Sequence, residues 1–523
     1  MIFLDWAAKR LGYVKPVARR SYAGAAFNRL TSDWIAQSTS QDSEARTSLR
    51  ALRNRTRQLC RDNDYARNGL RAIKNNVIGQ GIPFQSQVPM KRGGKLNEKL
   101  NAQIEAAWQK WARKDSCHVA GMLSFADIER QLIGACAESG EVLIRIINKP
   151  FGRSKIPISL EIIESDQLID DRNGRADNGN EIRMGVERDS WGRPVAYWLY
   201  PHHPGDYQFQ AIQPSKYVRV PASEMIHLFV PERPGQTRGV PWFHSALKRL
   251  HNVGGFEEAE IVAARASACI MGFIETPDGE LIGDSVDPNS GERTTNLEAG
   301  VVEALGPGEK FQGFSPTRPS GTFDPFMRTM IRGVAAGIGM SYETLSKDYS
   351  QSNYSSSRLS LLDDRDNWRA LQRWMIENFH QIILEKWMDV AVLSGDITLP
   401  DYYAQEDIYQ AVRWMPRGWA WVDPMKEAMA YRVAVRNGFM TLSDVITQAG
   451  GDFDDTMAQR KRETDIFKEL ELVFDSDPSQ VNDKGMAQIV DPTDAGGDPP
   501  PAPGDETGST GPAKNAKESA NQN

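Results

Sequence analysis

Residues Ser356 to Leu393 place Leu359, Leu362, Leu371, Met375, Phe379, Ile382 and Val390 at helical spacing. At about 1.5 Å per residue that pattern predicts a helix of more than about 50 Å, too long for a compact monomer to enclose. Immediately before it, residues 337–360 read GIGMSYETLSKDYSQSNYSSSRLS, a serine-rich stretch with two tyrosines, Tyr349 and Tyr354. A core cannot take in such a segment, because its hydroxyls and amides would lose their water. A polar loop between two helical elements in mid-chain predicts a working surface whose ligand is a substrate, a metal or a polymer.

The 523 residues suffice for several domains, and 40% hydrophobic with 25% charged residues is ordinary for a globular chain. A net charge of −7 excludes a general polyanion binder, so contact with nucleic acid would be local or deliberately weak. Cys60, Cys117, Cys136 and Cys269 form no CxxC pair, which argues against a disulfide framework and a structural zinc site. The longest apolar stretch, Ile261 to Ile274, is too short to span a membrane and carries Arg265. The N-terminal MIFLDWAAKRLGYV is broken by Asp5 and Lys9 and lacks a signal-peptide core. The expectation is a protein made and used in a cytosol.

Residues 1–45 read as an extended arm with Lys15, Arg19 and Arg20. From Glu44 to Asn76 a helix is predicted that carries Arg46, Arg50, Arg53, Arg55, Arg57, Arg61, Arg67, Arg71 and Lys74. These cations either form a solvated face or pair with acids of another subunit or with nucleic acid. Helices are predicted over 96–111 and 125–139, then strands in EVLIRII, ISLEIIESDQLID, EIRMGVE and PVAYWLY, the last two joined by the turn RDSWGR. Further strands are expected at 217–220 and 225–230, giving an α+β region without a βαβ repeat. A helix over 244–272 follows, then a turn-rich segment with two short strands in VVEALGPGEKFQGFSP. Asp324-Pro325 opens a helix that Gly333, Ala335, Ala336, Gly337 and Gly339 make thin, suited to close packing against another subunit. Helices are also expected from Asp423-Pro424 and near Thr441, and a disordered tail from about Asp475.

Asp363, Asp364 and Asp366 could suggest metal-dependent phosphoryl chemistry, which needs converging carboxylates. On a helix they spread over a wide arc and alternate with Arg358, Arg365, Arg369 and Arg373, the pattern of surface ion pairs. His202-His203 and Cys117-His118 lack spaced metal partners, and His227, His244, His251 and His380 stand alone in the sequence. There is no GxSxG, no phosphate-binding glycine loop and no GxGxxG before a helix. No catalytic residue, metal or cofactor is therefore expected.

Four segments resemble one family. RPGQTRGVPWF (233–243), MSYETLSKDYSQSNYSSSRLSLL (340–362), WMPRGWAWVDPMKEAMAYRVAVRNGFMTLSDV (414–445) and LRNRTRQLCRDNDYARNGLRAIKNNVIGQGI (52–82) are similar to the lambda-type portal proteins of tailed phages. The resemblance implies an α+β portal fold in a homo-dodecameric ring at one capsid vertex, with double-stranded DNA passing through its channel during packaging and ejection. It implies an N-terminal arm (1–45), a wing (46–235), stem helices (236–272 and 321–340) and a clip (273–320). A tunnel loop (341–356), a long helix with wing and crown helices (357–474) and an acidic tail (475–523) complete the plan. Partners implied are the terminase large subunit, head–tail connector proteins, and the major capsid and scaffolding proteins. The implied location is the virion, with host cytoplasm during assembly.

On that plan Lys347, Tyr349, Gln351, Asn353 and Tyr354 face the channel, with Lys347 balanced by Glu343 and Asp348. Arg233, Arg238, Asp363, Asp364, Arg365 and Arg369 are candidates for the subunit interface. The competing reading is a metal-dependent phage nuclease or recombinase built on Asp363, Asp364 and Asp366.

Overall fold

The computed structural model describes residues 38–90, 96–206, 217–269, 323–419, 424–449 and 451–470, four short strands between 273 and 312, and a few isolated positions. Most of the predicted N-terminal arm and the whole 475–523 tail lie outside the described residues. The chain divides into two units, 1–451 and 452–523.

In the first unit the basic segment forms two helices, α1 (Gln41–Asp62) and α2 (Asp64–Val77), where the sequence predicts one. Asn63 takes an extended conformation (φ −104°, ψ 128°) and its side chain accepts from Ala66 N, so it caps α2 and ends α1. Strand β1 (Phe84–Ser86), helix α3 (Glu98–Trp111) and helix α4 (Phe125–Ser139) follow. A reciprocal Ser124–Asp127 capping box starts α4, and Gly140 at φ 89° ends it.

Strands β2 (Glu141–Ile147) and β3 (Ser159–Ile163) start the mixed region. Next come β4 (Gly174–Arg175), β5 (Glu181–Arg183), β6 (Val186–Arg188), β7 (Pro194–Leu199), β8 (Val218–Pro221) and β9 (Met225–Phe229). One sheet runs β3-β2-β9 and the other β4-β5-β6-β7-β8, with antiparallel neighbours throughout. EIRMGVE is not one strand. Met184 (φ 45°) and Gly185 (φ 82°) form a two-residue turn with both φ positive, and it folds β5 back on β6. RDSWGR does join β6 to β7, with Asp189 accepting from the backbone N–H groups of Trp191 and Arg193.

Helix α5 (Leu247–Cys269) leads to two strand pairs, β10 (Phe273–Glu275) with β13 (Lys310–Gln312) and β11 (Ser285–Val286) with β12 (Arg293–Thr294). Of the two strands expected in 301–316, Lys310–Gln312 is present and the other falls outside the described residues. Helix α6 (Phe323–Ile338) is the thin helix, and its small residues meet α5 and the segment before it within the same chain. A Cβ on Gly333 would collide with Arg249, and one on Gly337 would lie 3.0 Å from Ser245 Oγ. The close approach expected against another subunit is thus, at these two glycines, an approach within one subunit.

A short helix α7 (Tyr342–Ser346) precedes the long helix, which is continuous from α8 (Tyr354–Met375) through a π turn (Ile376–His380) into α9 (Gln381–Leu393). The chain returns through β14 (Val412–Trp414), paired with β1, to α10 (Pro424–Arg436) and α11 (Leu442–Gln448). The C-terminal half of the long helix is braced by an aromatic cluster. Trp108 packs edge-on against Phe84 (5.2 Å), Phe125 (5.0 Å) and Trp387 (5.1 Å), contacts worth about 0.5–1.5 kcal/mol each beyond area burial. The π turn rotates His380 inward, where its Nε2 lies 2.6 Å from Glu129 Oε1. A second core, with Leu143, Ile163, Tyr197, Leu199 and Val220, lies between the two sheets. In the second unit α12 (Phe453–Glu469) is described by itself.

Candidate functional site

The 341–353 segment is a hydrogen-bonded knot of chain, not an open loop. Ser341 caps α7, and Asp364 of α8 sits beneath it, accepting from Ser341 N (2.7 Å), Ser341 Oγ (2.7 Å) and Thr344 Oγ1 (2.6 Å). Lys347 ends α7 in the left-handed region (φ 60°), which costs a non-glycine residue on the order of 1–2 kcal/mol and throws its side chain outward. Asp348 accepts from Tyr342 OH (2.8 Å) and Ser350 N (3.0 Å), with Arg328 Nε at 3.8 Å. The Ser350 bonds, then Tyr342, bring the Asp348 carboxyl down to about 2. Glu343 accepts from Ser352 Oγ at 3.2 Å.

Both acids of the segment are therefore tied to groups of their own chain. Lys347, Tyr349 (58% exposed), Ser350 and Gln351 stand outward, and Lys347 makes no ion pair among the described residues. Glu343 and Asp348, the two acids that balance its charge in the sequence, bond to Ser352 and to Tyr342 and Ser350 instead of to Lys347. Asn353 has a local task, because its side chain accepts from Ser356 N at 2.8 Å in a reciprocal capping box that starts α8. The helix thus begins at Tyr354, two residues ahead of the sequence reading. The side chain of Tyr354 lies outside the described residues.

The three aspartates of the nuclease reading do not converge. Asp364 is 1% exposed and consumed by α7, Asp363 points to solvent, and Asp366 pairs with Arg369 (2.8 Å). Arg365 is buried and, with Arg369, lies over the Trp419 ring at 5.7 and 5.6 Å. Asp364 must leave the list of interface candidates, since all its bonds are internal.

Arg238 leaves it too. It is fully buried and donates to Glu141 Oε1 through Nε (2.7 Å), and to the carbonyls of Met184 (2.8 Å) and Ser165 (3.2 Å) through its terminal nitrogens. Glu141, also fully buried, further accepts from Arg53 and from Gly239 N (2.7 Å), with His227 Nε2 2.9 Å from its second oxygen. Burial alone would raise the Glu141 carboxyl, but Arg238, Arg53 and His227 outweigh it and hold it well below the ordinary 4.5. Burial brings the Arg53 guanidinium down to about 10, still charged at neutral pH. Beside this cluster two backbones touch: a Cβ on Gly239 would lie 2.1 Å from Gly140 O. Arg233 remains at the surface, bonded to Thr39 O (3.0 Å) and to Glu44 (3.3 Å) at the start of α1.

Sequence spacing did not foresee that Glu164, Asp166 and His203 bring ligand atoms within 4.8 Å of one another. Arg57 lies against both acids, 3.2 Å from Glu164 and 2.5 Å from Asp166. A guanidinium thus already supplies the cation there. The arginines of α1 and α2 split accordingly, Arg53 and Arg57 of α1 serving buried or half-buried acids of the chain while Arg46, Arg55 and Arg61 of α1 and Arg67 and Arg71 of α2 lie exposed.

These features define an α+β subunit whose most elaborated surface feature is a rigidly footed polar loop at the head of a long helix. The chain belongs to the lambda family of phage portal proteins, whose description matches residues 27–372. A probable portal protein of Halomonas phage phiHAP-1 is 33% identical over 87% of this chain and 88% of its own length. Portal protein B of Escherichia phage lambda is 22% identical over 85% of this chain and 90% of its own. Among solved structures, the neck of an empty gene transfer agent particle is similar, with 15% identity, 76% of this chain and 93% of that chain covered, and a TM-score of 0.42. No helix among the described residues is long and apolar enough to cross a membrane.

Proposed function

We propose that the chain forms the ring at the unique capsid vertex and that residues 341–353 face the channel through which double-stranded DNA is packaged and ejected. On this reading 46–235 is the wing, 236–272 and 321–340 the stem, 273–320 the clip, and the helices after 357 the long wing helix and the crown. The clip docks the terminase large subunit and later the head–tail connector proteins, the wing meets the major capsid and scaffolding proteins, and assembly takes place in the host cytoplasm. The observation that carries the reading is the loop's division of labour. Glu343 and Asp348 are bonded inward while Lys347, Tyr349 and Gln351 stand out, giving a firm contact surface that carries a single positive charge per subunit. A conduit needs that character, because many Lys or Arg contacts to phosphate would hold a duplex instead of letting it slide.

The test replaces Lys347 and Tyr349 together with alanine. Rings seen by negative stain should be unchanged, since neither side chain bonds to another group among the described residues, while packaging or DNA retention changes. Loss of the rings would make the segment a subunit joint instead.

A further inference from the structure

Helices α10 and α11 contain no fully buried residue among their described positions. The own chain grips α10 on one side, through Glu427, 3.7 Å from Arg358 of α8, and Tyr431, whose hydroxyl donates to Gln448 of α11. About 160–240° around the helix from Glu427 lie Met425 (76% exposed), Met429 (66%) and Val433 (56%), with exposed Arg436 on the same face. A 13-residue helix is marginal by itself, and an apolar row turned squarely away from its own chain is a surface in need of cover.

The long helix carries a counterpart. About 40–140° around α8 from Arg358 lie Leu359 (71% exposed), Leu362 (40%) and the exposed acids Asp363 and Asp366. One face is apolar with a basic edge and the other apolar with an acidic edge. The Arg358–Glu427 pair holds both at the same place on the molecule, pointing in different directions. A ring requires such a heterologous joint, two unlike patches on each subunit that meet between neighbours. We infer that the outward face of α10 in one subunit packs on the Leu359–Asp366 face of α8 in the next, a second copy of this chain being the partner. This gives Asp363 the intersubunit role for which Asp364 is not available.

The inference rests on the ring reading, and the experiment separates the two. A benzophenone-bearing residue in place of Met429 is photolysed in assembled rings built from isotopically mixed full-length chains. Interchain products mapping to residues 355–370 are expected. Rings of wild-type size whose products map elsewhere, or only within one chain, overturn the pairing. Independently, Asp363→Lys with Asp366→Lys, and separately Arg436→Glu, should each lower the fraction of chains in rings several-fold, and their combination should restore it. Folded variants that assemble like wild type, or a combination that does not recover, would also overturn it. Wild-type chains that never form rings would overturn the ring reading and this joint with it.

Discussion

Glu141 holds a negative charge with no access to water, which is tolerable only because two guanidinium groups, an imidazole and a backbone N–H converge on it. Removing it strands Arg53 and Arg238 in the interior, so Glu141→Ala should cost roughly 3–5 kcal/mol in a urea titration. The pH dependence has a fixed sign. The folded carboxyl lies well below the unfolded value near 4.5, so its stabilisation is fully present above that value. It is lost as pH falls from about 5 toward the folded value. Wild type should therefore lose more stability than Glu141→Gln between pH 6 and pH 3.5, and parallel pH profiles would refute this account. None of the cluster was legible as a cluster. Glu141 opens the apolar strand EVLIRII, Arg53 sits in a helix dense with arginine, and Arg238 is 97 residues away from its acid. Residue type marks a charge that needs a partner, and only the fold brings the partner.

At the scale of elements, the length of the long helix was readable from its apolar spacing, but which of those residues are covered was not: Met375 and Phe379 are buried while Leu359 and Leu362 are exposed. Nor was its interruption: the π turn leaves the composition unchanged, and the partner of its inward His380 is Glu129, supplied by another helix. The loop was legible as polar and exposed, but its foot was misread, since Asp364 lies in a run of charges that resembles a solvated face. Asp364→Ala removes three bonds to a buried carboxylate and should destabilise the 341–348 region by about 1.5–3 kcal/mol. Amide exchange should rise there and stay unchanged in α9; equal loosening along the whole helix would mean that the aspartate supports the helix and not the loop. The Gly140–Gly239 crossing leaves no room for a methyl group between two backbones. Gly239→Ala should therefore lose on the order of 3 kcal/mol or more, whereas Gly121→Ala, a positive-φ site with open space around it, should lose on the order of 1 kcal/mol.

At the scale of the whole molecule, the α+β class and the family were legible because strand texture, helical periodicity and four long segments agree. Which surface meets the next subunit was not, because a one-chain pattern cannot distinguish an acid serving its own chain from one serving another; Asp363 and Asp364 are neighbours in sequence, yet the first is exposed and the second is buried against α7. The family resemblance implies twelve copies, and twelve chains of 58.5 kDa give a particle of about 700 kDa, which native mass measurement checks directly.

The ring also multiplies whatever the loop presents. Lys347 is the one cation in residues 341–353, so each added positive charge is repeated in every subunit around the duplex. On the proposed reading, Gln351→Arg would add a phosphate contact at an exposed position that bears no load in the fold. Ring–DNA affinity should rise and its salt dependence steepen, by about 0.9 in the log–log slope for each phosphate engaged. Passage should slow as holding improves, most of all at low salt where the counterion term is largest. Measuring packaging rate against salt for this variant beside Gln351→Ala separates charge from side-chain size. If both variants package DNA at the wild-type rate at every salt concentration, the loop does not touch the moving duplex.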